Sequence, residues 1–153
     1  MARIALASFG KPSGSWAREE FAVFAARLDA MTEFEAVELK ESKRSDVPSR
    51  LREEAETFLK RFPSPQWRKV VLSEEGKLFR TEDFAKWLEP RLSQNLVFLI
   101  GSAYGLDPML KSSADLLWSL SPLTFTHEHA RVLLAEQVYR CLQVTRGHPY
   151  HHR

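Results

Sequence analysis

The residues that could do chemistry are concentrated in three stretches of the second half of the chain. The first is Ile100-Gly101-Ser102-Ala103-Tyr104-Gly105-Leu106, where an apolar run ends at a glycine and a second glycine follows shortly after. Glycine lets a backbone turn tightly or approach a ligand closely. The spacing fits neither the dinucleotide fingerprint G-x-G-x-x-G nor a phosphate loop, which needs Gly-Lys followed by Ser or Thr. On its own the pattern reads as a turn or as a ligand loop. The second stretch is Ser119 to His127, a mix of hydroxyls and apolar groups ahead of a long helical segment. Its hydroxyls could cap that helix or face a ligand. The third is the tail, Gly147-His148-Pro149-Tyr150-His151-His152-Arg153. Histidine titrates near neutral pH and can take a proton, and tyrosine can stack on a base.

Other chemistries find no support. His127-Glu128-His129 cannot put both imidazoles on one helical face, so no metal site is expected. Cys141 lies in an apolar helical stripe and reads as core. No order of serine, histidine and aspartate identifies a hydrolase, the unrelated α/β alternative.

The elements that must position these stretches alternate between strand and helix. Arg3 to Phe9 reads as a buried strand ending at Gly10, and Phe34 to Lys40 and Lys69 to Leu72 as two more. Leu96-Val97-Phe98-Leu99-Ile100 is uninterruptedly apolar, as in a central parallel strand covered on both faces. Leu116 to Leu120 is a further short strand. Helices are expected over Ser15 to Asp29, with Ala17, Phe21, Phe24, Ala25 and Leu28 on one face, and over Pro48 to Arg61, opened by Asp46 and Pro48. Two more are expected over Thr81 to Leu92, with Thr81 as N-cap, and over Glu128 to Thr145. The last is apolar on several sides: Leu134, Val138, Cys141, Leu142 and Thr145 form one face, while Val132, Leu133, Tyr139 and Val144 lie elsewhere. Such a helix is deeply buried or packs on a partner chain as well. The pattern implies an α/β fold with a mainly parallel sheet, in one domain spanning 1–153. Ligands of such sheets bind at the carboxyl ends of strands, which directs attention to the loops after Ile100 and around Ser121.

Composition limits the class. The 153 residues are 44% hydrophobic and 27% charged, enough for a core without metals or disulfides. One cysteine, no apolar run of membrane-spanning length and no signal-like segment fit a cytoplasmic protein. The net charge of +2 excludes nothing by itself, but Lys40, Lys43, Arg44, Arg50 and Arg52 crowd one segment and the tail is basic. Such a segment is a solvated face or a phosphate contact.

An ordered set of motifs resembles one family. The set is Phe98-Leu99-Ile100-Gly101, Tyr104-Gly105-Leu106, Trp118-Ser119-Leu120-Ser121 with Leu123-Thr124, His127, Arg131-Val132-Leu133-Leu134, Glu136-Gln137-Val138-Tyr139-Arg140, and Gly147-His148-Pro149-Tyr150-His151. Together with Leu72 and Gly76-Lys77 upstream, it is similar to the ribosomal RNA large subunit methyltransferase H family. These are SPOUT-class enzymes that methylate N3 of a pseudouridine in 23S ribosomal RNA. The resemblance implies a SPOUT-type α/β knot, with a parallel sheet flanked by helices and a carboxyl-terminal trefoil knot, and a homodimer with active sites at the subunit interface. It implies S-adenosyl-L-methionine held by Leu72, Gly101, Ser102, Ser121, Pro122, Leu123, Thr124, Phe125 and Thr126, and a catalytic, RNA-facing region of Arg131, Tyr150 and His151. The implied partner is 23S ribosomal RNA in the ribosome, with neither DNA nor membrane. Two positions depart from the family pattern: Ser102 replaces a second glycine, and Ser73 replaces an aspartate after the strand leucine. The alternative is a SPOUT-fold RNA- or ribosome-binding protein with little or no activity.

Overall fold

Five consecutive apolar side chains with no room for a polar face leave Leu96–Ile100 only one comfortable place, the middle of a sheet covered on both sides. The computed structural model, which describes residues 2–11 and 14–147, puts it there. The elements run β1 (Arg3–Phe9), α1 (Ser15–Met31), β2 (Glu33–Leu39), α2 (Val47–Arg61), β3 (Arg68–Leu78), α3 (Thr81–Leu88), β4 (Leu96–Ile100), α4 (Pro108–Ser113), β5 (Leu116–Ser119) and α5 (His127–Thr145). The strand order is β2-β1-β4-β3-β5 and every pairing is parallel. All five carboxyl ends therefore open on the same edge.

Alternate side chains of the sheet feed two cores. Ile4, Leu6, Val70, Leu96, Phe98 and Ile100 face one core, closed by Phe21, Phe24 and Leu28 of α1, Phe84 and Leu88 of α3, and Leu134, Val138 and Leu142 of α5. Ala5, Ala7, Val71, Val97 and Leu99 face the other, closed by Ala55 and Phe58 of α2, by Phe62 and Trp67 between α2 and β3, and by Leu110 of α4. In the first core Phe84 stacks on Trp118 with centroids 3.8 Å apart and meets Phe98 edge-on at 6.3 Å. This aromatic cluster locks α3 to β5 and β4, and hence fixes two strands that end at the site.

Several local features differ from the sequence expectation. Thr81 is not the N-cap of α3: Arg80 holds that position without a side-chain bond, and the Thr81 hydroxyl donates instead to Gln137 of α5 at 3.0 Å. The helix stops at Leu88 and tightens into a 3-10 turn over Glu89–Arg91, because Pro90 has no N–H to continue an α-helix. β3 does not end at Leu72. It runs on to Leu78 through a register shift in which Leu72 and Lys77 both pair with Trp118. α4 was absent from the sequence reading. Asp107 caps it by accepting from the Met109 N–H at 2.8 Å, with Pro108 in the first turn.

The many-sided apolar pattern of α5, a motive for expecting a second chain, is largely met within this one. Tyr139 is buried against Phe24 of α1, and Val132 and Val144 pack on the same core.

Candidate functional site

Parallel strands whose carboxyl ends share an edge need loops there, and two of these loops, with the break in β3, line a pocket of about 430 Å³. The loop after β4 closes on itself. The Gly105 N–H donates to the Ser102 carbonyl at 2.9 Å, and Gly105 takes φ +96°, a conformation that favours glycine. Gly101 is needed for the same closure. A Cβ there would sit 2.8 Å from the Gly105 carbonyl oxygen and from two side-chain carbons of Leu106. Ser102 is 7% exposed, and its hydroxyl is buried with no hydrogen-bond partner among the described residues. Such an orphan is costly unless water or a ligand satisfies it.

The loop after β5 is held by its own hydroxyls. Ser119 Oγ donates to the Ser121 carbonyl at 2.9 Å, and the Leu123 N–H donates to Ser121 Oγ at 3.0 Å. Thr126 caps α5 by accepting from the His129 N–H at 3.3 Å, and its hydroxyl also meets His129 Nδ1 at 2.7 Å. One hydroxyl of this stretch therefore caps the helix, while Ser121 and Thr124 lie on a pocket wall. The third wall is the break in β3. Thr124 Oγ1 donates to the Glu74 carboxylate at 2.9 Å, and Lys111 of α4 pairs with Glu75 at 3.0 Å.

Of the residues expected to hold a cofactor, Leu72, Gly101, Ser102, Ser121, Leu123, Thr124 and Phe125 line this pocket. Pro122 and Thr126 lie in the same loop but not on the lining. Sequence reasoning missed Glu74, Glu75 and Lys111. The two glutamates directly follow Ser73 and could have been noticed as carboxylates displaced along the chain. Lys111 gave no signal, because its helix was not recognised.

Arg131, expected in the catalytic region, is not gathered with these. Arg131 lines a separate groove of about 580 Å³ with Lys11, Arg18, Phe21 and Glu38. Its guanidinium lies 3.8 Å from the centroid of Phe21. Burial lowers its pKa, with Glu38 opposing that shift. The two hollows lie on either side of the first turn of α5: His127 and Ala130 face the pocket and Arg131 the groove. That turn is tied to the start of α1, where the Gly14 N–H donates to Glu128 at 2.8 Å and Trp16 meets the His129 ring at 4.7 Å. Tyr150 and His151 lie outside the described residues.

The family model described as "Predicted SPOUT methyltransferase" matches residues 2–151. The chain is 38% identical over 150 residues to the "Ribosomal RNA large subunit methyltransferase H" of Gloeobacter violaceus, covering 98% of this chain and 99% of that protein. The protein of the same name from Synechococcus sp. is 41% identical over 150 residues, covering 98% and 95%. That of Pseudomonas aeruginosa is 37% identical over 154 residues, covering 97% and 99%. The solved structure of the SpoU methyltransferase AviRb from Streptomyces viridochromogenes superposes with a TM-score of 0.49 and 15% identity, over 96% of this chain and 61% of that one. With a family match over nearly all of its residues and relatives more than a third identical from end to end, the chain belongs to the SPOUT methyltransferase family.

Proposed function

We propose that this protein is an S-adenosylmethionine-dependent methyltransferase of large-subunit ribosomal RNA, acting on N3 of a pseudouridine in the ribosome, as a homodimer. The observation that carries the reading is the pocket at the carboxyl edge of the sheet, built from the loops whose motifs resemble the family. The relatives' names support the RNA substrate.

The residues present fit the cofactor. The volume falls in the range of roughly 300–1,000 Å³ usual for small-molecule sites. The buried Ser102 hydroxyl awaits a polar partner, and Glu74 places a carboxylate on the wall for a cationic ligand. Bound there, S-adenosylmethionine would supply a methyl group on a positively charged sulfur. The protein's own part is positioning. The 101–106 and 121–125 loops are braced by hydrogen bonds of their own, which lowers the ordering cost of binding. Leu72, Leu106, Leu120 and Phe125 line the pocket with apolar surface that limits water. The attacking nitrogen must lose a proton. We assign that proton to His151, whose intrinsic pKa suits it, and RNA phosphate contact to Arg131 across the first turn of α5.

The test is transfer of a labelled methyl group to ribosomes purified from a strain lacking the gene, with the modified nucleotide located by mass spectrometry. Label on N3 of a pseudouridine supports the full reading, and label on another position of the RNA keeps only the coarser one. Tight cofactor binding with no transfer would identify an inactive RNA-binding member. Light scattering at micromolar concentration tests the dimer; a monomeric mass removes it.

A further inference from the structure

Tyr104 stands apart from the other aromatic residues of the site. It occupies a corner of the Ser102–Gly105 turn, lines the pocket and remains 52% exposed. Phe84, Phe98 and Trp118 are core, and Phe125 is half-buried on the wall. Among the described residues the Tyr104 hydroxyl makes no hydrogen bond, so the phenol is not held by its polar end. It is held through its ring: the Arg50 guanidinium of α2 lies 4.3 Å from the ring centroid.

Arg50 is itself immobilised. Its side chain is 16% exposed, its Nη1 donates to the Arg44 carbonyl at 3.2 Å, and its Nη2 lies 3.8 Å from Glu41. A guanidinium held in this way is turned toward the tyrosine, although its buried Nε has no hydrogen-bond partner among the described residues. It presents a flat cation to the ring, which both orients the ring and interacts with its π-system. Lys40, Lys43 and Arg52 are exposed on the same stretch of sequence, Arg52 on another side of α2 from Arg50, while Arg44 is paired with Glu53 at 2.7 Å.

We propose that Tyr104 is a stacking platform for a nucleobase of the substrate RNA at the mouth of the pocket, with Arg50 as the positioning residue that fixes its plane. The inference rests on the RNA-methyltransferase reading and deepens it. An enzyme acting on a base must take that base out of its stack and replace the lost stacking. A ring backed by a fixed cation on the pocket rim meets that need. Stacking leaves the base's edge free to be presented to the pocket. Exposed Lys40 and Lys43 then add unspecific attraction for the RNA backbone.

The experiment compares wild type with Tyr104→Ala, Tyr104→Leu, Tyr104→Phe and Arg50→Gln. For each it measures sedimentation binding to unmodified ribosomes, KM and kcat for ribosome methylation, and calorimetric affinity for S-adenosylmethionine. Loss of one stacked base corresponds to roughly a 5- to 150-fold effect. Tyr104→Ala should therefore weaken ribosome binding and raise the ribosome KM by at least about 5-fold, with cofactor affinity held within about two-fold. Phenylalanine should restore most of the loss, leucine should not, and Arg50→Gln should be intermediate. Equal rescue by leucine and phenylalanine would overturn the proposal by showing that only bulk matters. Loss of cofactor affinity with unchanged ribosome binding would overturn it by assigning the ring to the cofactor. If wild type binds ribosomes without labelling them, the enzymatic reading fails while the binding series still tests Tyr104. If it neither binds nor labels them, both fall.

Discussion

Replacing Gly101 with alanine adds a single methyl group at the point where β4 hands over to the pocket loop. That methyl would lie 2.8 Å from the Gly105 carbonyl oxygen and equally close to Cγ and Cδ2 of Leu106, where ordinary contact begins near 3.4 Å. The loop must therefore open by about 0.6 Å. Leu106 can yield in part by changing rotamer. The Gly105 carbonyl cannot do so easily, because Gly105 is itself tied back by its N–H to the Ser102 carbonyl. Overpacking of this kind costs about 1–3 kcal/mol. In a domain of this size each kcal/mol lowers Tm by roughly 2–4 °C. We expect Gly101→Ala to lose several degrees in a thermal melt and to bind S-adenosylmethionine at least about ten-fold more weakly in calorimetry, since the displaced loop is a pocket wall. Gly101→Val should exaggerate both effects. The damage comes from the loop colliding with itself, not from a side chain filling the pocket. An alanine variant with unchanged Tm and unchanged affinity would show that the loop yields freely, and the argument for a preformed wall would fail.

Three other outcomes are expected, two from the structure and one from the sequence of the tail. Phe84→Ala removes a 1%-exposed ring stacked on Trp118 and should cost about 3–5 kcal/mol, read as a fall in the urea midpoint; a loss below about 1 kcal/mol would show that the aromatic cluster repacks. The Cys141 thiol, buried and directed at the Thr81 carbonyl at 3.6 Å, has its pKa pushed by burial from 9.0 up to about 12. It should resist alkylation until the protein unfolds. Because the unfolded thiol ionises first, its contribution to stability should decline as pH rises above about 9, and Cys141→Ala should flatten that decline in alkaline melts. Deleting Pro149 to Arg153 should abolish ribosome methylation and spare S-adenosylmethionine binding, whereas full activity in the truncated protein would remove the tail from the mechanism.

What could be read from the sequence was what repeats or runs. Leu96–Ile100 announced a central strand because five apolar residues leave no polar face, and Asp46 announced α2 because a short acceptor before Pro48 has few other uses. What escaped was decided by distant partners. The extension of β3 through polar residues 73–77 depends on Trp118, and no local pattern encodes that pairing. Thr81 looked like a cap until Gln137 claimed its hydroxyl. α4 spans six residues, too few for periodicity to show, and its lysine on the pocket went unseen with it. The loops of the pocket were legible as motifs. Their closeness to one another was legible only through the rule that parallel strands put their carboxyl ends together.

The doubled pairing of Trp118 with Leu72 and Lys77 has a consequence for how this protein can change. Residues 73–76 leave the sheet and return to the same level of the same neighbouring strand, so their number is not counted by the sheet's alternation. A residue added or removed there would not turn the following side chains over to the wrong face, as it would within β4. The pocket wall that carries Glu74 and Glu75 can thus be lengthened, shortened or recharged while the layers beneath it stay in step. Gly76 sets the boundary of that freedom: a Cβ on it would come within 2.6 Å of the Leu117 backbone, so the return point is fixed although the path to it is not.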